Sequence, residues 1–285
     1  MFETRVTLFL YAESALHAGM GSGLGAVDLP IQRERTTNYP IIQSSGVKGA
    51  LRQLMDDDTA NLVFGEQEYA GAASPGDARI LLFPVRSLSG VFVWVTSPAV
   101  LARFSRDVLK GQGSVPVIDR DTCLVSSQAI CAGNDVMLEE FAYTAQNSNE
   151  AENWATFFAD HVLPQSGDYA HYRERMRTHL AILPDNDFRD FVTYSTEVIT
   201  RIKIDPQTKT VATGALFTQE LLPADTVLYS VVELTDVRDK DSKHDAGWIT
   251  QQLYTATAYF NDRFQIGGDE TVGRGLVKAS WMSEG

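Results

Sequence analysis

Residues 5–11, RVTLFLY, alternate with a period of two, with Val6, Leu8 and Leu10 on one face and Thr7, Phe9 and Tyr11 on the other, the pattern of a strand. The next segment is not a helix. HAGMGSGLGAVDLP sets glycines at every second position from Gly19 to Gly25, then enters a segment that Pro30 holds extended. A dinucleotide site needs GxGxxG opening straight into a helix, and this run is spaced GxGxGxG. A second glycine-rich stretch, IGGDETVGRG, has Arg274 and Gly275 where a phosphate-binding P-loop carries Lys and Ser or Thr. Neither loop reads as a nucleotide site.

The other elements emerge from periodicity and punctuation. A first helix is expected after Ser44 and Ser45, whose hydroxyls suit orphan amides, with Val47, Leu51, Leu54 and Met55 as its buried stripe. Residues 79–84 and 90–96 read as a strand pair, and Ser97-Pro98 opens a helix lined by Leu101, Phe104, Val108 and Leu109 that Gly111 closes. Residues 122–127 and 136–143 read as strands, followed by a helix capped by Asn149 and another from Tyr169 to Leu180. Three β-type runs, 196–204, 211–220 and 226–235, surround turns at DPQTK and LPAD, before a helix over 246–260 and a last strand, LVKASWM. This order predicts an α+β fold, an antiparallel sheet with inserted lobes, rather than a doubly wound parallel sheet or a repeat array.

At 285 residues and 44% hydrophobic, the chain can bury the core of one large domain. No signal peptide is read at its start, and no run approaches the roughly 18 apolar residues of a spanning helix. Cys123 and Cys131 lack a histidine at ligand spacing and read as thiols in a reducing, cytoplasmic setting. Asp56-Asp57-Asp58 reads as a solvated face. A formal charge of -13 argues against indiscriminate nucleic-acid binding, which rests on summed positive charge. It leaves open a subunit that contributes one basic groove to an assembly. Between Asp28 and Arg52 the sign reverses: Asp28 and Glu34 stand against Arg33, Arg35, Lys48 and Arg52.

Each candidate in that stretch has a plainer alternative. Lys48 and Arg52, four apart, share a helix face that could grip phosphates or simply be solvated. Ser44, Ser45 and Gly46 place amides where a helix dipole favours a phosphate. Arg274, between Gly273 and Gly275, sits either in an anion-turning loop or in an ordinary tight turn. Asp28 could form a turn, but Val27, Leu29 and Pro30 hold its carboxylate outward. A lone carboxylate can ligate a hydrated Mg²⁺ or orient a 2′-hydroxyl. His17 is its nearest candidate helper, or else a structural histidine.

Together, LHAGMGSGLGAVDLPIQRE, YPIIQSSGVKGALR, GALFTQELLPADT and ETVGRGLV resemble the RAMP superfamily. More narrowly, they resemble the backbone subunits of Cmr-type (type III-B) CRISPR effector complexes, in register from residue 5 to residue 278. The resemblance implies one domain over residues 1–285 with an RRM-like, ferredoxin-type βαββαβ core, a middle lobe at 112–195 and a thumb hairpin at 200–226. It implies a helical filament of copies along a CRISPR guide RNA, with other complex subunits, target RNA as substrate and no membrane. Ser44, Ser45, Lys48, Arg52, Gly273, Arg274 and Gly275 fall on the guide-gripping elements. Asp28 falls on the target-cleaving loop Asp, acting with a divalent metal, Mg²⁺ or Mn²⁺. Three other readings stand beside this one: a non-cleaving scaffold, a guide-processing enzyme centred on His17, and an ordinary RRM stacking bases on Phe9 and Tyr11.

Overall fold

The computed structural model describes residues 4–23, 25–204, 207, 211–239 and 242–283. Strand Thr4–Ala12 lies at the centre of four antiparallel strands, ordered Leu276–Ser283, Thr4–Ala12, Val227–Leu234, Ala78–Arg86. Helix Ser44–Arg52 falls between the first and second of these in chain order, and helix Ala246–Tyr259 between the third and fourth. The sheet continues past Ala78–Arg86 through Phe92–Thr96, Leu180–Ile182, Thr122–Val125, Phe141–Asn147 and Asp135–Leu138. It is mostly antiparallel; the pairs Phe92–Thr96 with Leu180–Ile182 and Thr122–Val125 with Phe141–Asn147 are parallel. The segment expected as an inserted lobe thus carries the same sheet onward.

Both faces of the first strand are covered, since residues from Val6 to Ala12 are all buried. Phe9 packs against Phe104 of helix Pro98–Val108, and Phe104 also meets Tyr229, Trp154, Phe157 and Phe158 edge-on, with ring centroids 5.1 to 6.3 Å apart. Each fully buried large apolar side chain is worth about 1.5–3 kcal/mol, so this cluster joins the middle of the chain firmly to the central strands. Tyr11 is bonded to Asp225 and packs against Tyr169. Neither Phe9 nor Tyr11 is available to stack a base, which removes the ordinary-RRM reading.

Two helices escape the periodicity argument. The acidic run is not merely solvated: Asp56 caps helix Asp57–Phe64 by accepting from Thr59 N at 3.0 Å. Asp57 and Asp58 then sit in a first turn that favours negative charge. Helix Asp185–Tyr194 also opens on acidic residues, after Pro184. The run read as one strand over 136–143 is two, broken at Glu139, whose φ is 51°. Ser148, not Asn149, caps the next helix. Cys123 is buried, which pushes its thiol up to about 12, and both cysteines are free.

Strands Glu197–Ile204 and Val211–Leu221 form a separate two-stranded antiparallel ribbon. The turn expected at DPQTK lies, apart from Gln207, outside the described residues. No helix among the described residues is long and apolar enough to cross a membrane.

Candidate active site and nucleic-acid interface

The first glycine-rich loop folds back on itself and then docks on the ribbon. Gln32 N donates to Ala18 O at 2.7 Å, Met20 N to Pro30 O at 3.1 Å, and Gly23 N to Asp28 O at 2.8 Å, so Asp28 lies near the returning tip. Pro30 keeps Leu29 extended, as its fixed ring demands of the residue before it, and Leu29 pairs in parallel with Gln219. Leu29 N donates to Thr218 O and Glu220 N to Leu29 O, both at 3.0 Å.

This docking places the Asp28 carboxylate over Thr218. Thr218 N donates to Asp28 Oδ2 at 2.8 Å and Thr218 Oγ1 donates to the same oxygen at 2.9 Å, while Asp28 N donates to Thr218 Oγ1 at 3.0 Å. The Thr218 backbone bond, and then its side-chain bond, hold the Asp28 carboxyl below the usual carboxylate range. Asp28 is exposed and ionised at neutral pH. The arrangement is that of an anchored, outward-facing carboxylate.

The next two ribbon residues fix the surroundings. Gln219 is 2% exposed; its amide donates to Asp269 Oδ2 at 2.5 Å and accepts from Arg201, whose guanidinium also reaches Asp269 Oδ1 at 2.6 Å. Burial works against the Asp269 charge, but the bonds from Arg201 and Gln219 outweigh it and hold the carboxyl low. Glu220, 6% exposed, accepts from Arg33 at 2.5 Å, Thr196 at 2.8 Å and Ile31 N at 3.0 Å. Three consecutive residues, Thr218-Gln219-Glu220, therefore bind the acid loop, the C-terminal loop and the loop's exit to one strand. Along the chain this TQE is only the middle of a longer motif, and nothing local assigns it a role.

His17 does not join Asp28. It is buried, and its Nδ1 lies 2.8 Å from Glu220 O; a carbonyl can only accept, so Nδ1 carries the proton. No hydrogen bond between His17 and Asp28 exists among the described residues. His17 O accepts from Gly268 N at 2.8 Å, so the histidine pins the C-terminal loop to the acid loop's root. Gly267, at φ 89°, lies so close that a Cβ would stand 2.6 Å from that carbonyl oxygen. Gly275, at φ 71°, has the Ile266 carbonyl oxygen where a Cβ would be, which only glycine tolerates. Gly273 is exposed with open space beside it, and the Arg274 guanidinium has no partner among the described residues.

The basic residues of the stretch divide. Arg33 is consumed by Glu220 and by the carbonyls of Asn38 and Val192, at 2.9 Å each. Arg52 turns to the C-terminal end of helix Asp57–Phe64, donating to Ala60 O and Gly65 O at 3.1 Å and to Asn61. It does not share an outward face with Lys48. The start of helix Ser44–Arg52 is also not open to a phosphate in the expected way, because Asp77 accepts from Ser44 N at 2.8 Å and Ser44 and Ser45 make no cap. Ser44, Ser45 and Lys48 instead line a cleft of about 500 Å³ with Tyr69 and Arg238, and neither Lys48 nor Arg238 is paired among the described residues. Arg238 carried no local signal, since only folding brings it there. Gln32 links the two regions: Oε1 accepts from Gln43 N at 2.7 Å and Nε2 donates to Gly19 O at 3.0 Å.

The model of the RAMP superfamily matches residues 9–278. A Pyrococcus furiosus protein named CRISPR system Cmr endoribonuclease Cmr4 is 40% identical over 287 residues, covering 95% of this chain and 93% of the relative. The crystal structure of oligomeric Cmr4 from Pyrococcus furiosus superposes with a TM-score of 0.74 at 32% identity, over 98% of each chain. A chain of the type III-B Cmr-beta complex bound to cognate target RNA, solved by cryo-electron microscopy, shares the fold at TM-score 0.73 and 22% identity, over 98% of each chain. The chain belongs to the RAMP superfamily, in its Cmr4 branch.

Proposed function

We propose that this RAMP-superfamily chain is a backbone subunit of a type III-B effector complex that stacks with copies of itself along a guide RNA and cuts RNA paired to that guide. The observation that carries the cleaving role is the exposed Asp28 carboxylate, bonded to the ribbon through Thr218. Support for the assembly comes from relatives named as a Cmr endoribonuclease and solved as an oligomer and as a complex with target RNA. The four-strand order with its two intervening helices supports an RRM-like βαββαβ core. Ribbon Glu197–Ile204 with Val211–Leu221 supports the thumb, the element that splays the guide–target duplex.

Guide-backbone contacts fall to Ser44, Ser45, Lys48 and Arg238 in the cleft and to the Gly273-Arg274-Gly275 turn. Arg52 holds the second helix in place, and the His17 backbone carbonyl holds the two glycine-rich loops together while its ring bonds the ribbon. Sequence choice rests with base pairing, so the protein needs a grip on the sugar-phosphate chain and no base code. Stacked A-form RNA keeps each 2′-oxygen out of line with its phosphorus. A splayed step lets them align, and holding that geometry is worth several kcal/mol of barrier. Asp28, ionised and fixed by Thr218, faces the kinked linkage and stabilises or accepts the 2′-hydroxyl proton there. Internal attack forms the 2′-O–P bond and breaks the P–O5′ bond, leaving a 2′,3′-cyclic phosphate on one fragment and, after proton uptake from solvent, a 5′-hydroxyl on the other.

Among the described residues no three His, Cys, Asp or Glu side chains form a metal cage. One exposed carboxylate does fit a Mg²⁺ or Mn²⁺ that keeps most of its water, with Asp28 as the protein ligand. Such an ion would supply charge stabilisation at the reacting phosphate. Labelled complementary RNA, incubated with Mg²⁺ and the assembled complex, should be cut at regular intervals, and the Asp28→Ala complex should bind it uncut. Cutting by the Asp28→Ala complex would remove the assignment; wild-type cutting that survives EDTA would remove the metal.

A further inference from the structure

We infer that Thr218 is the positioning residue of the cleaving site, tying the Asp28 carboxylate to the ribbon strand so that acid and ribbon move as one. The inference rests on the reading of Asp28 as the cleaving carboxylate. Two donors of Thr218 converge on one carboxylate oxygen, Oδ2, at 2.8 and 2.9 Å. With Oδ2 held from two directions, the carboxylate plane can no longer rotate, so the orientation of Oδ1 is set by the ribbon.

The threonine hydroxyl is itself locked. It donates to Oδ2 while accepting from Asp28 N at 3.0 Å, and β-branching in a strand restricts its χ1. The backbone on each side is also joined, through Leu29 N to Thr218 O and Glu220 N to Leu29 O. Glu220 holds Ile31 N as well, so Asp28 cannot leave Thr218 without breaking a run of strand-like bonds. The opposite ribbon strand presents Thr200 across from Thr218. A duplex that presses on this ribbon therefore displaces the carboxylate with it. Reading of the paired strand and placement of the acid are one mechanical event.

The experiment compares assembled complexes carrying Thr218→Val, Thr218→Ser and Asp28→Ala, with guide-RNA content, target-RNA affinity and single-turnover cleavage rate measured for each. Valine keeps the strand shape and the backbone donor but loses both hydroxyl bonds. The expected result is a cleavage rate lowered about 10- to 100-fold in Thr218→Val, with guide content and target affinity unchanged. Thr218→Ser, which retains the hydroxyl, should cleave within about threefold of the wild type. A Thr218→Val complex that cuts at the wild-type rate while Asp28→Ala does not cut would overturn the positioning role and leave the Asp28 assignment standing. Loss of guide or target binding in Thr218→Val, or a defect that Thr218→Ser does not rescue, would also overturn it, reducing Thr218 to a structural residue. Cleavage by Asp28→Ala itself would instead remove the underlying reading.

Discussion

The cations of the cleft beside the first helix and the carboxylate of the first glycine-rich loop are held in opposite ways. Lys48 and Arg238 line an open cleft and are unpaired among the described residues. Asp28 is just as accessible, yet its Oδ2 is bonded twice to Thr218 and its loop is stitched to the ribbon. The difference matches the two tasks proposed for these regions. Holding a polyanion by its phosphates needs charge on long, compliant stems, because the ligand contributes its own geometry. Acting on one linkage needs a group that does not move. Two other basic residues of this stretch, Arg33 and Arg52, spend their charge on partners inside the fold.

The largest effect that would break this contrast is on catalysis. Asp28→Ala should lower target cleavage by about 10²- to 10⁴-fold, the usual worth of a positioned acid–base group, with guide loading intact. A rate within a few-fold of the wild type would show that the anchored carboxylate is not the reacting group. Next comes stability. Arg33 is the half-buried cation that neutralises the buried Glu220 carboxylate, so Arg33→Met strands that carboxylate and should cost about 3 kcal/mol, read from the shift in denaturant midpoint. Lys48→Ala, by contrast, should stay within about 0.5 kcal/mol of the wild type.

A smaller effect concerns RNA binding. Lys48→Ala and Arg274→Ala should each weaken guide binding modestly and flatten the slope of log K against log salt by about 0.7, the single-strand value per phosphate contact. An unchanged slope would place the phosphates elsewhere. The smallest effect is on pH dependence. Asp269 is held low in the folded chain by Arg201 and Gln219, so its contribution is complete above the carboxylate's ordinary value of 3.8 and is lost as pH falls through the lower folded value. Asp269→Asn should therefore be less stable than the wild type at neutral pH, with the gap closing below about pH 4 in denaturation curves taken at a series of pH values.

Much of the scaffold was legible locally. The period-two run of the first strand, the Ser97-Pro98 start and Gly111 stop of the third helix, and the long helix near the C-terminus all lie where pattern and punctuation place them. Helix Asp57–Phe64 escapes such a reading because an acidic run looks like plain surface. Its signal is nonetheless present, an Asp cap three residues ahead of the amide it accepts. The candidate acid was legible as well, isolated by Val27, Leu29 and Pro30 in an otherwise glycine-rich loop. Its partner was not. Thr218 is one threonine among many until the ribbon folds against residue 28.

By itself the chain determined most of the elements, the glycine turns and the isolated Asp28 carboxylate, because dihedral preference and side-chain periodicity act over a few residues. Only the tertiary structure decided which charges remain available. Arg33 and Lys48 look alike along the chain, but a partner that neutralises one of them, Glu220, arrives from the far end of the sequence. Coulomb attraction and hydrogen bonding depend on distance in space, and that distance exists only once the ribbon, the loops and the sheet have packed.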